Sequence, residues 1–224
     1  MQKSMLPKKI KKDVYKKVRR MLYSNACIGK IKQRYFSFLL ECHQFDKWHV
    51  SPINFRPYAL GIVDYLNERE WSEKEKIVEI GCGLGEIIGN INVHNKVGYD
   101  IDANVIGAAR KIYPGTKFKV GTFEDIKKQN IECLITVNFI HGTSPEELRK
   151  KYTSLCEENH INYFILDIVR DERYEFNHSI DYLFDGLGYR VKKRLRMYKT
   201  QHGYRWIYIM KKNNKKYAYS GENI

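Results

Sequence analysis

The sequence predicts an α/β protein: a seven-stranded sheet of five parallel strands closed by a C-terminal antiparallel hairpin, preceded by an N-terminal helical cap. Three observations carry that prediction. Beyond Trp71, short β-type runs alternate with helical ones, the pattern of parallel strands joined by crossover helices. The last two β-rich runs are joined across Gln201, His202 and Gly203, which is hairpin spacing. Before Trp71, apolar residues recur at helical spacing instead.

Taken in order, residues 8–22 place Ile10, Val14, Val18 and then Met21 or Leu22 on one face among lysines, predicting a basic amphipathic helix. A second apolar run, Tyr35, Phe36, Phe38, Leu39 and Leu40, leads into HQFDKWHVSPINFRPY (43–58), where Pro52 and Pro57 interrupt regular structure. A third helix is expected from Pro57 to Trp71, burying Tyr58, Ile62, Tyr65 and Leu66. These elements form a basic cap or lid over 1–73, and residues 74–224 form the sheet domain. Strands are expected at 76–81, 96–100, 117–120, 131–138 and 161–168, with helices near 102–112 and 144–158. Ser144, Pro145 and Glu147 supply a cap, a first-turn proline and a capping box for the latter. The runs 189–200 and 203–212 make the hairpin.

Length and composition narrow the function. At 224 residues the chain suits one buried domain with a cap. No run approaches the roughly 20 apolar residues of a membrane span, and the first 20 residues lack the apolar core of a secretory signal, so no export is expected. Five cysteines, odd in number and without a CxxC pair, suggest neither a zinc site nor a disulfide framework, and a reducing cytoplasm is the expected setting. Residues 1–34 carry 12 Lys/Arg against Asp13, and 186–224 carry 11 against Glu222. The net charge of +14 therefore sits at the two ends, around a mildly acidic middle. Such ends suit nucleic acid, an anionic membrane face or an acidic substrate, or serve only as solvated surface.

IVEIGCGLGEII (77–88) packs Gly81, Gly83 and Gly85 at the end of the first strand and ahead of an expected short helix, where a doubly wound sheet places its cofactor. Spacing selects among cofactors. Glu86 stands where the dinucleotide fingerprint needs its third glycine, and a carboxylate there is ill suited to a pyrophosphate. No Gly-Lys-Ser/Thr follows, which excludes the P-loop. A cofactor with a positive centre and no phosphate fits an acidic loop better.

VEIGCGLG resembles motif I of the class I S-adenosylmethionine-dependent methyltransferases, an acid followed by G-x-G-x-G. The resemblance extends to VGYDID (97–102), GTFEDI (121–126) and the closing hairpin, covering about residues 74–211. It implies a Rossmann-like sheet, S-adenosylmethionine as cofactor, and a set of places. Glu79 corresponds to the acid near the cofactor's amino-acid end, with Gly81, Gly83 and Gly85 passing the backbone beside it. Asp100 corresponds to the carboxylate that takes the ribose hydroxyls, with Asp102 better suited to capping the next helix. Phe123, Glu124 and Asp125 fall at the adenine, and Asn138 and Phe139 beside the reactive methyl. VNFIHG (137–142) is not the Asn/Asp-Pro-Pro-aromatic signature of amino-group methylation, which weakens nucleobase N-methylation.

For a hydroxyl acceptor a base must remove the proton. His141, three residues past the fourth strand, is the first choice; His178, after the fifth, is the alternative, and Asp167 could orient either. No metal is expected, since a lone aspartate is poor evidence for one. The segment 43–58 supplies His43, Trp48, His49, Arg56 and Tyr58 for a polar, ring-bearing acceptor, with the fork of Arg56 suited to phosphate or carboxylate. The small size and lid are similar to those of methyltransferases of bacterial surface-polysaccharide pathways, implying a sugar or sugar-linked acceptor. An RNA methyltransferase using the basic ends is the alternative, and a non-enzymatic module that keeps the cofactor fold is a third reading.

Overall fold

The computed structural model describes residues 17, 18 and 20–213. Most of the expected basic helix at 8–22 and the basic run after 213 lie outside these; residues 17, 18 and 20–24 are helical. Asn25 restarts the helix by accepting from the N–H groups of Cys27 and Ile28, capping α1 (Ala26–His43). Gln44, in the left-handed region, ends it and donates its N–H back to the Leu40 carbonyl.

After two short 3-10 turns, α2 (Pro57–Asn67) begins with proline in its first turn. It is shorter than the expected 57–71. Trp71 folds back and donates its indole N–H to the Leu66 carbonyl at 2.7 Å, satisfying an acceptor that another helical turn would have used.

The sheet holds β1 (Lys76–Ile80), β2 (Asn95–Asp100), β3 (Lys117–Val120), β4 (Asn130–Thr136), β5 (His160–Asp171), β6 (Tyr189–Arg194), β7 (Tyr198–Lys199) and β8 (Gly203–Lys212). Their order is β3-β2-β1-β4-β5-β8-β6, with β7 paired to β8. The first five strands are parallel and the closing strands antiparallel, as the alternation and the hairpin spacing predict; β8 lies between β5 and β6, and the expected run 189–200 divides into β6 and β7, so the sheet has eight strands rather than seven. β1 pairs with β2 on one side and β4 on the other, so the strand order reverses there and opens a crevice at the carboxyl edge.

Both faces of the sheet are covered, which is why its strands read as nearly continuous apolar runs. Ile77, Ile135, Ile165, Ile207 and Ile209 pack under Ile62, Val63 and Leu66 of α2 and Ile106 of α3 (Ala103–Ile112). Val78, Ile80, Leu134, Phe164 and Leu166 meet Leu148, Tyr152 and Leu155 of α4 (Pro145–Glu158) and Phe184 of α5 (Ile180–Phe184). The Ser144 cap of α4 forms as expected, accepting from the Glu147 N–H. A third cluster joins Phe36 and Leu39 of α1, Phe45 and Val50 to Leu84, Val105 and Ala108. That cluster fastens the cap beside the glycine loop.

Candidate active site

β1 delivers the chain into Gly81, Gly83 and Gly85 with φ of 68°, 52° and 80°, a left-handed run that glycine adopts freely and a β-branched residue does not. A β-carbon at Gly83 would lie 2.9 Å from Nδ1 of His49, and one at Gly81 would run into the Phe139 ring. The loop is a cradle that side chains close from outside. Asp100, at the end of β2, ties it down: Oδ2 accepts the Gly83 N–H at 2.8 Å and Oδ1 the Asp102 N–H at 3.1 Å. Asp102 in turn caps α3 through Asn104 and Val105, the role its position suggests.

Glu79 is buried on β1 and accepts the Ile88 N–H at 2.9 Å. Burial pushes its carboxyl up to about 8, against the opposing pull of that hydrogen bond and of Arg56. The short helix expected after the loop is instead a chain of turns ending in a 3-10 turn, Ile88–Asn90. Glu86 explains the difference. Its carboxylate accepts the Ile53 N–H and the Tyr113 hydroxyl, while Asn90 donates to its carbonyl, so the residue is committed to joining cap and loop.

The cap segment closes over this loop. His49 is buried against Gly83 and Trp48, 58% exposed, stacks on it at 3.6 Å between ring centroids. Burial pushes the His49 imidazole down, and Asp100 and Asp102 only partly offset that. Arg56, Tyr58, Glu79, Glu86 and Asn138 line a cavity between cap and loop of about 20 Å³. Burial disfavours the Arg56 charge, but Tyr58, Glu86 and Glu79 outweigh it and raise its pKa above the ordinary value. Its Nε is buried without a hydrogen-bond partner. His43 corrects the expected acceptor pocket: it ends α1 and packs against Gly107 of α3, away from this cavity.

A second cluster lies beyond Asn138. β4 ends at Thr136, two residues earlier than expected, because Asn138 turns to a φ of 72° and donates its N–H to Asp167 Oδ1 at 3.0 Å. Asp167 is fully buried on β5, with His141 Nε2 at 3.2 Å and Arg205 Nη1 at 2.9 Å from Oδ2; the arginine contact is an ion pair without hydrogen-bond alignment. Burial would raise this carboxyl, but Arg205 and His141 hold it below its usual range. His141, 3% exposed, also meets the Tyr174 ring at 4.8 Å and that of His178 at 6.4 Å. His178 Nε2 lies 2.9 Å from the Thr143 carbonyl, so it donates there, and burial pushes its pKa down. The structure thus brings His141, His178 and Asp167 together, one residue from the cavity.

At the remaining sequence candidates, Phe123 is buried against Phe139 and Tyr152, Glu124 reaches Lys151 at 3.1 Å, and Asp125 accepts the Thr122 N–H at 2.8 Å. Two residues escaped the sequence reading. Arg205 stacks over Tyr58 at 4.1 Å and so links the acid cluster to the cap. Its signal was present: it sits on the same alternation as the buried Ile207 and Ile209 of β8, where a charge calls for a partner. Ile101, directly after Asp100, is an apolar side chain left 76% exposed at the carboxyl end of β2.

No family model matches the chain. Over 73 residues it is 32% identical to a protein of Invertebrate iridescent virus 6 named "Putative methyltransferase 235L", a match covering 31% of this chain and about a quarter (26%) of that one. Among solved structures, magnesium protoporphyrin IX methyltransferase from Synechocystis PCC 6803 with bound S-adenosylmethionine aligns at a TM-score of 0.62 and 14% identity, over 95% of this chain and 100% of the other. A TehB-like S-adenosylmethionine-dependent methyltransferase from Corynebacterium glutamicum aligns at 0.53 and 13%, over 84% and 100%. The methyltransferase domain of bacterial CtHen1-C aligns at 0.55 and 12%, over 69% and 96%. At such identities the likeness is one of architecture, and the chain has the Rossmann-like fold of class I S-adenosylmethionine-dependent methyltransferases.

Proposed function

We propose that the chain transfers a methyl group from S-adenosylmethionine to an oxygen of a small, polar, anionic acceptor: a sugar or sugar-linked group of surface-polysaccharide biosynthesis. One observation carries the cofactor reading. Three left-handed glycines lie between buried Glu79 and Asp100 at the point where the strand order reverses, with the Asp100 carboxylate bonded to the Gly83 N–H. Glu79, Gly81, Gly83, Gly85 and Asp100 hold the cofactor, and Ile101 and the Phe123–Asp125 turn flank its adenine end. The group supplies, when bound, an electrophilic methyl on a good leaving group.

The chain's own residues supply orientation and proton removal. Asp167 stays ionised and fixes His141 with Nε2–H toward it, leaving Nδ1 free to take the acceptor's hydroxyl proton as the O–CH₃ bond forms. The acceptor reaches His141 past Tyr174, and Trp48, His49 and Tyr58 enclose its ring. Among the described residues no helix is long and apolar enough to cross a membrane, and five unpaired cysteines suit a reducing compartment, so we place the reaction in the cytoplasm. Calorimetry with S-adenosylhomocysteine tests the cofactor reading, and methyl transfer to pooled nucleotide-linked sugars, small metabolites and RNA tests the acceptor. Absence of cofactor binding at millimolar ligand defeats the proposal and favours a non-enzymatic module.

A second reading, RNA methylation, draws on a groove of about 620 Å³ beside α2, where Arg20, Lys193, Arg194 and Arg196 outnumber Asp64 and Glu68. Tight RNA binding that falls steeply with salt, accompanied by methyl transfer to RNA, would favour it over the first.

A further inference from the structure

We infer that Arg56 holds the carboxylate of the cofactor's amino-acid end, so that the cap completes the cofactor site and Arg56 is not an acceptor residue. The inference rests on the cofactor reading above. The cavity that Arg56 lines is walled by the glycine-loop residues Gly81, Cys82 and Gly83, by Glu79 from β1 and by Asn138. Whatever enters it lies against the cofactor loop.

The groups facing it differ in charge. Glu79 offers an acceptor on the sheet side, and Arg56 a guanidinium on the cap side. A carboxylate and a guanidinium lining one small cavity complement a zwitterion, with an ammonium toward the acid and a carboxylate toward the arginine.

The other carboxylate near Arg56 does not use this donor. Glu86 spends one oxygen on the Ile53 N–H and the other on the Tyr113 hydroxyl, with Lys32 at 3.9 Å. The Nε of Arg56 stays buried and unpartnered beside it, an arrangement that costs free energy until an anion arrives. Arg56 also occupies the N-cap position of α2, an 11-residue helix whose amino end favours negative charge.

A cavity of about 20 Å³ admits little more than a water molecule. The strap carrying Trp48, His49 and Arg56 therefore lifts to admit the ligand, and Arg56 closes on the carboxylate as it returns.

Three ligands separate the groups by calorimetry: S-adenosylmethionine, decarboxylated S-adenosylmethionine, which keeps the amine and sulfonium, and 5′-methylthioadenosine, which lacks both ends. The wild-type protein should bind the first at least about tenfold more tightly than the second. Arg56→Ala should weaken S-adenosylmethionine about 10- to 100-fold while leaving the decarboxylated ligand unchanged, and Arg56→Lys should recover part of the loss. Thermal unfolding of both variants checks that they fold.

Equal wild-type affinity for the first two ligands overturns the inference and leaves the cofactor reading standing. So does an Arg56→Ala effect confined to the acceptor's KM. A wild-type protein that binds none of the three overturns both.

Discussion

The proposed contact of Glu79 with the cofactor's ammonium makes binding depend on pH. Its carboxyl, raised to about 8 by burial, is about nine-tenths protonated at pH 7. A bound ligand that presents an ammonium to it favours the ionised form, so binding at pH 7 should expel about 0.9 proton. Keeping Glu79 charged then costs about 1.4 kcal/mol at pH 7 and twice that at pH 6, and apparent affinity should rise about tenfold per unit between pH 5.5 and 7. The ligand's own α-amino group, with an ordinary pKa of about 7.7–8.0, stays protonated in that window. His49 lines the same cavity, and Glu79→Gln separates its contribution from that of the acid. The assay is calorimetry of S-adenosylhomocysteine in two buffers of different ionisation enthalpy, which counts protons directly. Wild type should release nearly one and Glu79→Gln none, with a flat pH profile. A wild-type protein with no proton release and constant affinity from pH 5.5 to 7 would refute the reasoning.

Gly83→Val should abolish S-adenosylhomocysteine binding, because φ is 52° there and the new β-carbon meets His49; circular dichroism confirms the fold and calorimetry the loss. His141→Ala should lower turnover about 10²- to 10⁴-fold with cofactor affinity nearly intact; His178→Ala showing that signature instead would move the base beyond β5. Arg205→Met leaves Asp167 buried with the His141 ring and the Asn138 N–H as its remaining partners and should cost about 3–5 kcal/mol in denaturant unfolding. Asp167 has a depressed pKa, so its contribution is present above the ordinary carboxylate value and lost as pH falls through the folded one. Arg205→Met should therefore shrink the gain in stability on raising the pH from about 3 to 6, as pH-dependent melting will show.

The sheet was legible because its signals are local and periodic. β1, β2 and β3 begin and end within one residue of the expected places, and α4 carries its own cap in Ser144 and Glu147. Two of the misplaced boundaries share a cause: a contact from distant sequence ends or redirects an element. Asp167 terminates β4 by taking the Asn138 N–H, and Glu86 holds the chain after the glycine loop in turns by bonding Ile53 and Tyr113. Local propensity contains none of these partners.

The candidate site divides along the same line. Glu79, the glycines and Asp100 lie within 22 residues of one another, and their spacing alone marks a loop at a strand end. Arg56 and Arg205 are single charges in apolar company, and sequence shows only that each needs a partner. Which partner follows from packing: β5 and β8 pair Val169 with Arg205 and Asp167 with Ile207, which puts the acid and the arginine on one face of the sheet. The first turn of α2 then lays Tyr58 over Arg205 and leaves Arg56, two residues earlier, lining the same cavity as Glu79. Tyr58 thus stands between two guanidinium groups, one joined to the candidate base through Asp167 and the other lining the cavity beside the glycine loop. A helix shift that moves Tyr58 therefore disturbs both, which couples the cap to the candidate site.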